Sequence, residues 1–185
     1  MTDLTVAVFV GSLRKGSFSR KIAQALIGLA PKGLTGEIVE IGDLPLYNPD
    51  LDDSAPPAAW AAFRDKVRPF DAVLFVTPEY NRSVPGALKN AIDVGSRPYG
   101  RSIWSGKPGA VVSCSPGGLS AFGANHHLRQ SLVFLDVPAL QQPEAYLGHV
   151  DKLLGEDGSI SNPDTAKFLS TFMEKFSGWI ERNRA

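Results

Sequence analysis

Cysteine is almost absent from this 185-residue chain, and Cys114 stands alone. A single cysteine cannot form an intrachain disulfide, and with only three histidines beside it the chain makes a poor structural zinc set. The composition therefore suits a reducing compartment. Net charge is absent as well: 19 basic residues balance 19 acidic ones. That leaves no overall basic character of the kind that nucleic acids or anionic membranes favour. No stretch approaches the ~20 apolar residues of a membrane span. Residues 1–10 lack the basic start, apolar run and small-residue cleavage site of a signal peptide. The expected address is the cytoplasm, with neither a nucleic-acid nor a membrane partner. Repeats, biased tracts and linkers are also missing, so one domain over residues 1–185 is expected. A chain of this length buries on the order of 70 % of its unfolded surface.

What is present is an alternation of strand and helix signals. Leu4–Val10 is a short Val-rich apolar run and reads as a strand covered on both faces. Ile22, Ala23, Leu26, Ile27 and Ala30 follow at helical spacing, up to Pro31. Strands are expected at 37–41, 71–77, 109–113 and 137–143. Helices are expected at 58–67, 86–94, 124–135 and 164–182, the last capped by Asn162 ahead of Pro163. Residues 42–57, with four prolines and several aspartates, read as a long loop. Five such repeats predict an α/β domain, a flavodoxin-like three-layer sandwich around a five-stranded parallel sheet of order 2-1-3-4-5. In that fold the ligand lies beyond the carboxyl ends of the strands, where strands 1 and 3 adjoin. The loops after strands 1, 3 and 4 are the ones with unusual composition.

The first loop, GSLRKGSFS at 11–19, joins a buried strand to a helix. A helix N-terminus offers free N–H groups and partial positive charge, which suits an anion. Ser12, Ser17 and Ser19 add hydroxyls, and Arg14 can fork onto phosphate oxygens. Gly11 and Gly16 let a ligand approach the backbone. The expected ligand is a monophosphate; the bland alternative is a capped helix with a solvated basic turn. A Walker A loop is excluded because Ser17 and Phe18 stand where Lys and Ser/Thr belong, and a dinucleotide fingerprint because Leu13 occupies its second glycine position.

The second loop, TPEYNRSVPGALKN at 77–90, is stiffened by Pro78 and Pro85. A rigid loop can present backbone donors and acceptors to the edge of a flat heteroaromatic ring. Tyr80 can pack against such a ring and Asn81 can bond its polar edge. Glu79 either touches ligand or orients the loop by accepting N–H bonds. The third loop, SCSPGGLSAFG at 113–123, has adjacent Gly117 and Gly118 for close approach. Ser113 and Ser115 can donate to carbonyl oxygens. Cys114 has no basic neighbour in sequence and is expected to be a buried small hydrophobe, not a nucleophile.

Together, GSLRKGSFS at 11–19, PEYNRSVPGALKNAIDV at 78–94, and SCSPGG at 113–118 with HLRQSLVFLD at 127–136 resemble the NADPH-dependent FMN reductase family. This is the flavodoxin-like branch that includes quinone and chromate reductases. The resemblance spans roughly residues 4 to 150. It implies that Ser12, Arg14, Ser17, Phe18 and Ser19 hold the FMN phosphate. Pro78, Glu79, Tyr80 and Asn81 would line the flavin, and 113–118 would sit by its pyrimidine end. NADPH or NADH would be the electron donor. Quinones would be acceptors, with chromate, free flavin and azo compounds left open. It also implies a homodimer or homotetramer, with the helices after strands 3 and 4 as interface candidates. Where the family often carries an arginine before HLRQ, this chain has Gly123-Ala-Asn-His126.

The chemistry needs no catalytic side chain, since a bound flavin carries the electrons and the protein orients it. Arg82 and Arg101 are candidates to attract the donor's phosphates or an anionic acceptor, against an equally good reading as solvated surface. Tyr99, Trp104 and Phe122 are candidate walls of the acceptor pocket. Trp60 and Trp179 are expected in the core or at a subunit contact. His126, His127 and His149 show no metal spacing and read as packing or interface residues. The rival reading is a flavodoxin-type electron carrier without turnover; the neutral charge and the basic first loop weigh against it.

Overall fold

The structure, a computed structural model, describes residues 3–155 and 157–184. Five strands, β1 (Leu4–Val10), β2 (Leu34–Ile38), β3 (Ala72–Thr77), β4 (Gly109–Cys114) and β5 (Ala145–Leu147), form one parallel sheet of order β2-β1-β3-β4-β5. This is the expected doubly wound arrangement. Every residue of β3 and β4 is buried, as continuous apolar runs covered on both faces must be. Register positions the site: Val10 pairs with Val76, and Thr77 with Ser113. The loops after β1, β3 and β4 therefore leave from one rim.

Period-2 alternation divides the strand residues between two cores. Val6, Val8, Val10, Leu74 and Val76 face α1 (Phe18–Gly28) and α6 (Pro163–Asn183), where they meet Ile22, Leu26, Phe172 and Phe176. Ala7, Phe9, Val73 and Phe75 face α3 (Ala58–Val67), α4 (Gly86–Gly95) and α5 (Phe122–Phe134). Trp60 is fully buried there, as expected, and Trp179 is half-buried against the first core. The Asn162 cap is present, with its side chain accepting from Thr165 N at 2.9 Å.

Four expectations need correction. Trp104 is not a pocket wall. It is fully buried, its ring edge-on to Phe9 at 5.3 Å, and its Nε1 donates to Ile92 O at 2.9 Å. Its irregular sequence context hid a core residue, for which Gly95 leaves room. Strand 2 lies at 34–38 rather than 37–41, because an edge strand reading Leu-Thr-Gly-Glu-Ile has no apolar run to betray it. Strand 5 is displaced from 137–143 to 145–147. Pro138 and Pro143 cannot donate to a ladder, so only a single bridge, Gly109 to Ala139, forms before it. The loop at 42–57 contains a short helix, α2 (Pro49–Ser54). Asn48 caps it, with Pro49 in its first turn.

That segment is pinned from inside. Arg64 makes two 2.8 Å bonds to Asp52, and its Nε donates to Val94 O at 2.9 Å. Asn90 accepts from Tyr47 N and donates to Leu44 O and Pro45 O. Among the described residues, no helix is long and apolar enough to cross a membrane.

Candidate functional site

Ser17 ends the β1 loop as the N-cap of α1, its Oγ accepting from Arg20 N at 3.2 Å. The hydroxyl proton remains available. The N–H groups of Phe18 and Ser19 find no acceptor among the described residues. Ser12, Ser17 and Ser19 are all buried, whereas Arg14 is exposed and its guanidinium forms no ion pair among the described residues. The result is a helix N-terminus of unpaired donors beside a free cation, the electrostatic requirement for a phosphate. Gly11 is sterically required. A Cβ there would lie 2.8 Å from Thr77 Oγ1 and 3.0 Å from Pro78 Cδ, so the first and second loops touch through a missing side chain.

The β3 loop folds into a two-residue reverse turn. Tyr80 N donates to Ser83 O at 3.1 Å, and Ser83 N to Tyr80 O at 3.0 Å. Asn81 and Arg82 both take positive φ, 51° and 64°. Asn tolerates that conformation; Arg is strained in it. The turn is fastened to α5. Glu79 accepts from Ala124 N at 3.0 Å, and Ser83 Oγ lies 3.1 Å from His127 Nδ1. Of the two roles open to Glu79, orienting the loop is thus visible in its bonds. Five of the six non-glycine residues with positive φ, namely Asn81, Arg82, Ser120, Ala121 and His149, sit in loops following β3, β4 and β5. Strain of about 1–3 kcal/mol per residue persists where surrounding contacts over-determine it, typically at binding sites.

In the β4 loop, Ser113 departs from its expected role. Its hydroxyl is buried, donates to Ser120 O at 2.9 Å and accepts from Asn125 Nδ2 at 3.2 Å. It braces the loop and has no proton left for a ligand. Ser115 Oγ accepts from Gly117 N at 3.1 Å and keeps its own proton. Cys114 is buried against Ser19 Oγ at 3.3 Å, and burial pushes its thiol up to about 11. It is therefore a packing residue with negligible thiolate at neutral pH.

These loops enclose a cavity of about 150 Å3 lined by Ser12, Arg14, Ser17, Phe18, Ser19, Pro78, Glu79, Tyr80 and Ser115, joined by Cys114 and Pro116. Nine of the thirteen expected cofactor residues meet there. Asn81, Gly117 and Gly118 lie in the same loops but do not line the cavity, and Ser113 is turned into the protein. Arg82 projects to solvent from the strained turn, 3.4 Å from Glu79. Arg101 is exposed in the segment that follows α4, apart from the cavity, as is Tyr99. Phe122 is half-exposed against His126, 4.1 Å between ring centres, and His126 Nε2 lies 3.0 Å from the Tyr146 hydroxyl. Desolvation, with Glu144 adding to it, pushes that hydroxyl up to about 12. Among the described residues no group of His, Cys, Asp and Glu is arranged to hold a metal. Sequence reasoning missed the support set of Ser83, Asn125 and His127, because nothing local links residues 40 positions apart.

A parallel sheet of order 2-1-3-4-5 with a phosphate-ready helix N-terminus and two small-residue loops at its switch point defines a flavodoxin-like mononucleotide-binding protein. The profile of the NADPH-dependent FMN reductase family matches residues 4–152. The chain is 63 % identical over 181 residues to a quinone reductase of Pseudomonas putida, covering 98 % of this chain and 97 % of that one. It is 45 % identical over 181 residues to a 2-hydroxy-1,4-benzoquinone reductase of a Burkholderia species, covering 98 % of each. Among solved structures it is similar to FerB, a flavoenzyme NAD(P)H:(acceptor) oxidoreductase from Paracoccus denitrificans. The TM-score is 0.92 at 44 % identity, over 98 % of this chain and all of that one. The chain belongs to the NADPH-dependent FMN reductase family, as an FMN-dependent oxidoreductase that uses NAD(P)H. The carrier reading falls with that membership.

Proposed function

We propose that this protein reduces quinones with electrons from NAD(P)H, using FMN held at the carboxyl rim of its sheet. The observation that carries the proposal is the set of unpaired donors at the start of α1, Phe18 N–H, Ser19 N–H and the Ser17 hydroxyl, beside the free Arg14. FMN held there would supply the redox chemistry between nicotinamide and acceptor. The protein's part is orientation. Ser12, Arg14, Ser17, Phe18 and Ser19 hold the phosphate end. Pro78, Glu79, Tyr80 and Asn81 fix the ring along one side, with Glu79 acting through α5. By the pyrimidine edge, the Gly118 N–H and the Ser115 hydroxyl are the donors left to stabilise negative charge on the reduced ring, since Gly117 N is held by Ser115 Oγ and Ser115 N by Leu147 O. Tyr80, 48 % exposed and lining the cavity, stands where donor and acceptor would alternate.

Quinone as acceptor follows the names of the Pseudomonas and Burkholderia relatives. Chromate, free flavin and azo compounds are further candidates for the same cavity. Neither Arg82 nor Arg101 lines the cavity, but Arg82 lies 3.4 Å from Glu79, which does, and is the better placed of the two to meet an anionic acceptor. We further propose that two copies associate through α5, whose Val133 and Phe134 are 80 % and 82 % exposed, and that the protein works in the cytoplasm. The test is the visible spectrum of the purified protein under anaerobic conditions. Flavin bands that bleach with NADPH and return with benzoquinone are expected. A colourless protein that takes up no FMN would refute the reading.

A further inference from the structure

A second cleft, of about 350 Å3, shares Ser12 and Arg14 with the FMN cavity and runs from them toward the end of β2. That is within the range of small-ligand sites, roughly 300–1,000 Å3. Its other walls are Leu13, Lys15, Arg20, Glu40, Gly42 and Asp43, and nothing in the function argued above uses them.

The chemistry of these walls is mixed in a particular way. Arg20 Nη2 donates to both oxygens of Glu40, at 2.8 and 2.6 Å, leaving Nε and Nη1 without an acceptor among the described residues. Lys15 and Asp43 make no ion pair among the described residues. Leu13 is 56 % exposed amid these charges. Gly42 faces it, and a Cβ there would reach Leu13 Cδ2 at 3.4 Å, so the backbone forms the opposite wall without closing the cleft. A surface ion pair explains Arg20 and Glu40. It does not explain an apolar side chain held open beside an unpaired lysine and an unpaired aspartate.

A nucleoside carrying a phosphate matches all of these at once. Its base has an apolar surface to lie on, its ribose hydroxyls have carboxylates, and its phosphate has two cations. In dinucleotide-binding α/β sheets, an acid beyond the first βα unit bonds the ribose 2′-hydroxyl of NAD, or an arginine nearby accommodates the 2′-phosphate of NADP. Both elements stand here beside the first βα loop. Resting on the reading of the protein as a flavin enzyme fed by NAD(P)H, we propose that this cleft takes the adenosine 2′-phosphate end of NADPH. Lys15 and Arg20 bind the 2′-phosphate and make the choice of donor. The adenylate of FAD is the competing occupant, but it lacks a 2′-phosphate and would leave those cations unused.

The experiment uses the FMN-loaded protein and the double variant Lys15→Ala/Arg20→Ala, neither residue being part of the FMN site. KM for NADPH should rise about tenfold or more, as loss of charge-assisted phosphate contacts implies. KM for NADH, both kcat values and flavin content should stay unchanged. Calorimetry with 2′,5′-ADP should show binding to the parent holoprotein and about tenfold weaker binding to the variant, with 5′-AMP binding equally to both. Equal effects on both donors, no effect on either, or no binding of 2′,5′-ADP would overturn the proposal. So would tighter loading of FAD than FMN that the variant abolishes. Protein that takes up no flavin would refute the flavin reading itself, and this assignment with it.

Discussion

Gly11→Ala should loosen the FMN site without replacing a ligand-binding side chain. The added methyl would sit 2.8 Å from Thr77 Oγ1, against an ordinary contact of at least 3.4 Å, so something must move by 0.6 Å (3.4 minus 2.8). Neither neighbour yields easily. Thr77 is fully buried and its hydroxyl donates to Pro78 O at 2.7 Å, while Pro78 Cδ, at 3.0 Å, belongs to a rigid ring. Overpacking of this kind costs about 1–3 kcal/mol, and losing the threonine bond about 1 more. We expect a net loss of about 3 kcal/mol, a fall in Tm of roughly 6–12 °C for a chain of this size. Because the displaced loops carry Ser12 on one side and Tyr80 on the other, FMN should bind about tenfold more weakly; sites tolerate only about 0.5 Å of misplacement. Flavin fluorescence quenching gives the affinity, and urea unfolding of the apoprotein gives the stability. Parental affinity together with parental stability would refute the argument that these loops touch through a glycine.

Arg64→Ala strands the Asp52 carboxylate, whose side chain is only 4 % exposed, and should cost about 3–5 kcal/mol in urea unfolding. Arg64→Ala/Asp52→Ala should cost clearly less than the sum of the two single variants. The Cys114 thiol titrates near 9 when unfolded and at about 11 when folded. Its contribution is therefore whole below pH 9 and is lost as pH rises toward 11, because the unfolded chain gives up the proton first. Cys114→Ala should flatten that alkaline decline, by on the order of 2 kcal/mol between the two limits. An unchanged slope would show that the thiol does not titrate as buried. Val133→Asp/Phe134→Asp should convert a dimer to monomer in light-scattering measurements, and a mass that does not change would exclude this face of α5 as the contact.

The sequence was most transparent where burial is continuous. β1, β3 and β4 are apolar but for Thr5, Thr77 and Ser113, and their limits agree with the expected ones to within a residue. It was opaque at the sheet's edges. β2 pairs on one side only and carries Thr35, Gly36 and Glu37, while β5 has three residues preceded by two prolines. The phosphate loop was readable because helix N-terminus, serines and arginine are neighbours in the chain. What Ser113 does was not, because its partners Ser120 and Asn125 matter only once α5 folds back over the loop. Trp104 misled for the same reason: a loop by composition, it reaches the centre of a core through Phe9, Phe63 and Phe75.

The shortness of the two outer strands has a consequence for life in a crowded solution. With its formal charges in balance, the molecule has little electrostatic repulsion to keep its copies apart. An open sheet margin is where one chain recruits another into runaway pairing. Here one margin offers three residues and the other five, one of them a glycine. A visiting strand finds too little ladder to extend, so geometry guards against aggregation where charge does not.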